Sequence, residues 1–286
     1  MPSKVTMRDL LETGVHFGHR TQKWNPKMAP FIYTARNGIH IIDLRQTHAN
    51  LNAYNDMVVE VVRKGGTVLF VGTKRQAQET IQKAADEAGM PYINGRWLGG
   101  TLTNWRTIKD RIETLKKLEA RRDKGEFSLL TKREALMLTR EIEGLNERLG
   151  GIRDMKKVPD LVVMVDTKRE ETAVKEANSL NIPVMALVDT NANPDTIDYI
   201  IPGNDDAMRA IKLIVDAMAD AVKEGKAMRK GDDEGFEDEA SATATAAIDY
   251  DSEEEDENDE RYLGKSTLAK LRDAKLFDEN EETTEG

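Results

Sequence analysis

The strongest constraint on this chain is a series of short, unbroken apolar runs, each followed by residues at helical spacing. Residues 67–71, 161–165 and 184–188 form such runs, with shorter candidates at 90–93 and 199–201. A strand with no polar alternation meets water on neither side. That happens when helices cover both faces of a parallel sheet. Helical patterns at 75–88, 170–180 and 205–226 supply the covers. The expected fold class is α/β, a doubly wound parallel sheet of about five strands. None of the runs approaches the length needed to cross a bilayer.

Two regions lie outside that alternation. At the front, residues 3–13 read as a short helix, and 15–27 as a segment crowded with polar and aromatic groups. Strands at 31–33 and 39–42 then flank an Asn37-Gly38 hairpin signal. Asp43 is placed to cap a helix that runs to about Lys64 and ends at Gly65-Gly66. In the middle, residues 103–152 carry no strand pattern. Ile108, Ile112 and Leu115, and then Leu138, Ile142, Leu145 and Leu149, follow heptad-like spacing. Thr131 and Glu134 form a capping-box pattern, and Gly125 marks the turn. This reads as an inserted antiparallel helical hairpin, with arms of about 18 residues, or about 27 Å. So slender a hairpin needs a partner to pack on.

Charge divides the chain. It carries 42 Lys+Arg against 52 Asp+Glu, a net −10. Residues 231–286 hold 21 acidic and 5 basic residues, so the remaining 37 basic and 31 acidic residues leave a body of +6. The expected organisation is a folded domain over 1–230, interrupted by the hairpin, and a disordered acidic tail over 231–286 with a basic island at 261–275. The acidic balance of the whole chain therefore hides a basic body suited to nucleic acid. There is no cysteine, which excludes disulfides and thiolate metal sites and fits a reducing compartment. With no secretory pattern at the N-terminus, the expected location is cytoplasmic.

Basic and aromatic residues interleave in two places. The first holds Arg20, Lys23, Trp24, Asn25 and Lys27. The second holds Arg96, Trp97, Asn104 and Arg106 and continues along the hairpin through Lys109, Arg111 and Lys116. Cations neutralise phosphates, and an exposed tryptophan stacks on an unpaired base. The same pattern also describes a solvated helix face with core tryptophans. Lys74 and Arg75 follow Gly72-Thr73 at a strand-to-helix turn, a place that binds phosphate. Neither nucleotide fingerprint is present, which speaks against a nucleotide site; an ordinary tight turn is the competing reading of Gly72, with RNA backbone the expected partner of Lys74 and Arg75.

His19, Asp189, Asp205 and Asp206 make a candidate zinc set, because the aspartates fall where a doubly wound sheet gathers its ligand groups. Helix capping by Asp205 and Asp206 is the competing reading. No nucleophile–base pattern emerges. A nucleotide- or sugar-phosphate-binding enzyme and an acidic-tailed interaction protein or chaperone are the rival classes; the first predicts a saturable ligand near 72–75, the second an essential tail.

Taken in series, the motifs resemble a family. Residues 14–19, Trp24-Asn25-Pro26-Lys27-Met28, 33–44, Gly95-Arg96-Trp97-Leu98-Gly99-Gly100 with Thr103-Asn104, 159–166, 181–183, 188–191 and 201–207 are similar in order to bacterial small ribosomal subunit protein two, over residues 3–229. The resemblance implies a flavodoxin-like domain with a protruding helical hairpin and no enzyme activity. It also implies binding to small-subunit ribosomal RNA and neighbouring ribosomal proteins, and help in docking the large mRNA-binding small-subunit protein one. A membrane and a small-molecule substrate are not among its implied partners.

Overall fold

The computed structural model describes residues 5–245, with side chains placed through residue 230. The chain divides into two units, Met1–Gly235 and Phe236–Gly286. At the centre of the first is a five-stranded, all-parallel sheet built from β4 (Val68–Val71), β5 (Tyr92–Ile93), β6 (Leu161–Val165), β7 (Val184–Val188) and β8 (Tyr199–Pro202), in the order β5-β4-β6-β7-β8. Every residue of β4, β6 and β7 is buried.

Successive side chains of these strands point to opposite faces, and two cores result. Val68, Phe70, Leu161, Val163, Met185 and Leu187 pack on one face with Leu51 and Val58 of α2 (Leu44–Arg63), Ile81 of α3 (Arg75–Ala88) and Ile211 and Met218 of α7 (Met208–Thr245). Leu69, Val71, Val162, Met164, Val184 and Ala186 pack on the other with Ala173 and Val174 of α6 (Glu171–Ser179) and with Met28 and Trp97. The doubly wound reading therefore holds.

The hairpin is α4 (Trp105–Asp123) and α5 (Lys132–Leu149). Thr131 and Glu134 make the expected capping box. Its base belongs to the main core through Ile108, Ile112 and Leu149, while Leu115, Leu118 and Ile142 form a separate cluster further along. Leu129, Leu136 and Met137 are exposed.

At the front, after α1 (Met7–Glu12), lies a three-stranded antiparallel sheet of β1 (Phe17–Arg20), β2 (Ile32–Arg36) and β3 (Ile39–Ile42), in the order β1-β3-β2. Strand β1 falls inside the polar-aromatic segment, where no strand was expected. Its four residues show no alternation, and they are extended because they pair with β3 and meet Thr190. Helix α7 runs to Thr245, beyond the expected end near Lys226. The rest of the expected tail, 246–286 with its basic island, lies outside the described residues.

Candidate nucleic-acid interface

Because the five strands are parallel, the segments that come after them emerge at one edge. Thr73, Lys74 and Arg75 come after β4, Arg96 and Trp97 after β5, and Asp166 to Glu170 after β6. Asp189 and Thr190 come after β7, and Asn204, Asp205 and Asp206 after β8. The sheet order reverses between β4 and β6, which makes this edge the place where such folds gather ligand groups.

A single carboxylate shapes the loop between β5 and the hairpin. Glu176, on α6 and buried, accepts from Trp97 Nε1 at 3.0 Å and Gly100 N at 2.8 Å through Oε1. Through Oε2 it accepts from Leu102 N at 2.9 Å and from Thr103 N and Oγ1 at 3.2 Å each. Burial by itself would raise its pKa, but these donors outweigh burial and hold it below the ordinary carboxylate value. Gly100 sits at φ +86°, a left-handed conformation that glycine adopts without strain. Trp97 is accordingly a buried anchor with its N–H engaged, whereas Arg96, Asn104 and Arg106 are exposed around it. Nothing local in the helical sequence 171–179 marks Glu176 for this role; only the fold brings it to the loop.

Thr190 ties the front segment to the same edge. Its Oγ1 accepts from His19 N at 2.9 Å and its carbonyl from Asn25 N at 2.8 Å. Any side chain at Gly18 would meet Thr190 Cγ2 at 2.7 Å, so this close approach requires glycine. Arg20, Lys23 and Trp24 are exposed beside it, with the Trp24 ring 5.1 Å from that of His40.

The expected RNA-contact cations divide into two groups. Lys27 pairs with Asp195, and Lys116 lies 3.3 Å from Asp154. Lys74 is enclosed, with its Nζ 2.7 Å from both Asp205 Oδ1 and Asp206 Oδ1 and 3.5 Å from Asp166 Oδ2. Burial opposes its charge, but those carboxylates outweigh burial and hold its pKa above the ordinary lysine value. By contrast, Arg20, Lys23, Arg75, Arg96, Arg106, Lys109 and Arg111 are exposed and have no carboxylate at ion-pair distance among the described residues.

Beside Lys74, the four expected metal-binding residues do converge: one ligand atom from each of His19, Asp189, Asp205 and Asp206 lies within 4.8 Å of the others. His19 Nδ1 is 3.0 Å from Asp189 Oδ2, and its Nε2 is 3.4 Å from Asp206 Oδ2. The Asp189 contact raises the His19 pKa against the effect of burial. Asp205 is pushed up to about 7, first by burial and then by Asp166 and Asp189, with Lys74 pulling the other way. Just ahead of α7, Asn204 Oδ1 accepts from Asp206 N at 2.8 Å and Ala207 N at 3.2 Å, while Asp205 and Asp206 are engaged by Lys74.

The chain matches the family described as Ribosomal protein S2 over residues 10–225. Among its relatives, a small ribosomal subunit protein uS2 of Oleidesulfovibrio alaskensis is 56% identical over 226 residues, covering 79% of this chain and 87% of that one. One of the same description from Coprothermobacter proteolyticus is 54% identical, covering 79% and 85%. Another, from Mycobacterium sp. (strain KMS), is 53% identical, covering 83% and 84%.

Proposed function

The chain belongs to the ribosomal protein S2 family, and from that premise we propose that it is a structural protein of the small ribosomal subunit that holds ribosomal RNA at the carboxyl edge of its sheet and along its hairpin. It is a structural protein and not an enzyme. No helix of the described residues is long and apolar enough to cross a membrane; the cytoplasm, where ribosomes work, is the proposed location.

The observation that carries the RNA reading is the set of exposed, unpaired cations on one edge and the adjoining hairpin arm: Arg75, Arg96, Arg106, Lys109 and Arg111. A cation already matched by a carboxylate gains less from a phosphate, so Lys27 and Lys116 contribute less than these. Trp24 and Asn25 stand beside Arg20 and Lys23, where a base can stack. The test is co-sedimentation of tagged protein with small subunits across a salt series. Wild-type association falls with rising salt. Replacing Arg96, Arg106 and Lys109 with alanine weakens it and flattens the salt slope by about 0.7–0.9 for each phosphate no longer neutralised. Unchanged association of a folded triple variant moves the interface elsewhere.

Docking of the large mRNA-binding small-subunit protein one is proposed from the resemblance. It is tested by asking whether subunits lacking this chain still retain that protein; full retention overturns it.

A second reading concerns zinc. His19 Nδ1 and Asp189 Oδ2 are both sealed from solvent, and neither makes a hydrogen bond of good geometry although they are 3.0 Å apart. Sealed polar atoms in that condition fit a bound cation, and one histidine nitrogen with carboxylate oxygens is a zinc donor set. His19, Asp189, Asp205 and Asp206 would hold the ion, which would tie the front sheet to the ends of β7 and β8. Metal analysis of the purified chain is expected to return stoichiometric zinc, lost in Asp189→Asn. Metal-free wild-type protein of unchanged stability overturns this reading.

A further inference from the structure

Between the segments that come after β4 and β6 lies a crevice of about 560 Å³, at the point where the sheet order reverses. Thr73 and Glu170 form its floor, and Arg96, Trp97, Arg169 and Thr172 line it. We infer that this crevice seats one nucleotide with an amino-bearing base, its phosphate between Arg96 and Arg169 and its amine on the Glu170 carboxylate. For the source of that nucleotide the inference rests on the RNA reading above.

The floor decides the chemistry. Glu170 is only 2% exposed. Its Oε1 accepts from Thr73 N at 3.0 Å and from the Thr73 hydroxyl. A carboxylate offers about four acceptor sites. Glu170 Oε2 accepts from no described residue and is not fully sealed, and the residue lines the crevice. A buried carboxylate with one oxygen unused calls for an N–H donor. It repels a phosphate, and Asp166 nearby repels it too.

The rim is the opposite. Arg169 Nε donates to Thr73 Oγ1 at 3.0 Å, which fixes the guanidinium and leaves its terminal nitrogens free. Arg96 is exposed and unpaired among the described residues. Among the constituents of RNA, a nucleotide of cytosine, adenine or guanine offers an anionic end for the rim and an amino donor for the floor. Uracil fits poorly, because its one N–H is flanked by two carbonyl oxygens that face the carboxylate.

The experiment is a calorimetric titration of the purified full chain with 5′-CMP, 5′-AMP, 5′-UMP and inorganic phosphate. CMP and AMP are expected to bind about tenfold more tightly than UMP or phosphate. Glu170→Gln keeps a carbonyl for Thr73 but turns the free oxygen into a donor, so the preference should swing toward UMP. Arg169→Ala should weaken all three nucleotides. If Glu170→Gln fails to fold, Arg96→Ala and Arg169→Ala carry the test from the rim. No nucleotide binding by the wild type, or equal binding of all four probes, overturns the inference. Repeating the titration with purified small subunits identifies the source. Binding by the free chain alone means that an RNA nucleotide fills the crevice, binding by both means a free nucleotide does, and either supports the site. A chain that binds nucleotides but does not co-sediment with subunits keeps the crevice and sinks the ribosomal reading; the reverse sinks the crevice alone.

Discussion

Replacing Glu176 with alanine should loosen the loop that presents Arg96, Asn104 and Arg106 while leaving the sheet intact. The carboxylate accepts hydrogen bonds from the Trp97 indole, from the Gly100, Leu102 and Thr103 amides and from the Thr103 hydroxyl. Gly100 and Thr103 are partly open to water, which would replace the missing acceptor cheaply. Trp97 and Leu102 are buried at 8% and 1% exposure, so their donors would be stranded. Each stranded donor costs about 1–3 kcal/mol, which puts the total near 4 kcal/mol. For a body of this size that corresponds to a fall in Tm of roughly 8–16 °C. Thermal melts followed by tryptophan emission would read it, and amide exchange at residues 100, 102 and 103 would localise it. Glu176→Gln should not rescue fully, because its amide nitrogen would face donors. A melt of Glu176→Ala within a degree or two of wild type, with unchanged exchange at those amides, would refute the clamp.

The same group sets a pH dependence. Its folded pKa is depressed, so its stabilisation is complete above the ordinary carboxylate range and is lost as pH falls through the depressed value; the gap in Tm between wild type and Glu176→Ala should close on acidification, and a constant gap would count against ionic capping. Leu115→Ala, at a fully buried position of the hairpin's own cluster, should cost about 2–5 kcal/mol and melt the hairpin before the sheet, seen as early helix loss in circular dichroism; a single cooperative transition at the wild-type midpoint would contradict it. At Gly151 a Cβ would lie 2.2 Å from the Tyr92 carbonyl oxygen, so Gly151→Ala should displace β5 and greatly reduce soluble yield, whereas a wild-type melt would show that the segment yields easily. Deleting residues 231–286 removes net charge of −16 that phosphates repel, and subunit association should survive it; loss of association would give the tail a role in assembly.

Much of the fold was legible because it is written in local pattern. Fully apolar runs at β4, β6 and β7 announce strands buried on both faces, and helical spacing announces their covers. The heptad seams and the Thr131 capping box announce the hairpin. Strand β1 was illegible because its extended form comes from pairing with β3 and from Thr190, some 170 residues away in sequence. Helix α7 runs past the expected end near Lys226, where Ala227, Met228, Arg229 and Lys230 keep a helical preference.

For the site, sequence named residue types, and tertiary structure decided what each type does. Asp189, Asp205 and Asp206 share an edge because the carboxyl ends of parallel strands must do so, which strand counting predicts; His19 joins them from the antiparallel front sheet, which only the tertiary structure brings there. Charge made Lys74 and Arg75 look alike, yet the fold encloses Lys74 in carboxylates and leaves Arg75 free. Trp24 and Trp97 looked alike too, but one stands exposed and the other is held in the core by Glu176. The sequence by itself determined a doubly wound sheet, an inserted hairpin and a basic body behind an acidic tail, because periodicity and charge are properties of neighbouring residues. Which cations remain unpaired, which carboxylate organises the loop and which keeps a free oxygen were decided only by the tertiary structure, because hydrogen bonds and ion pairs depend on distances between residues far apart in the chain.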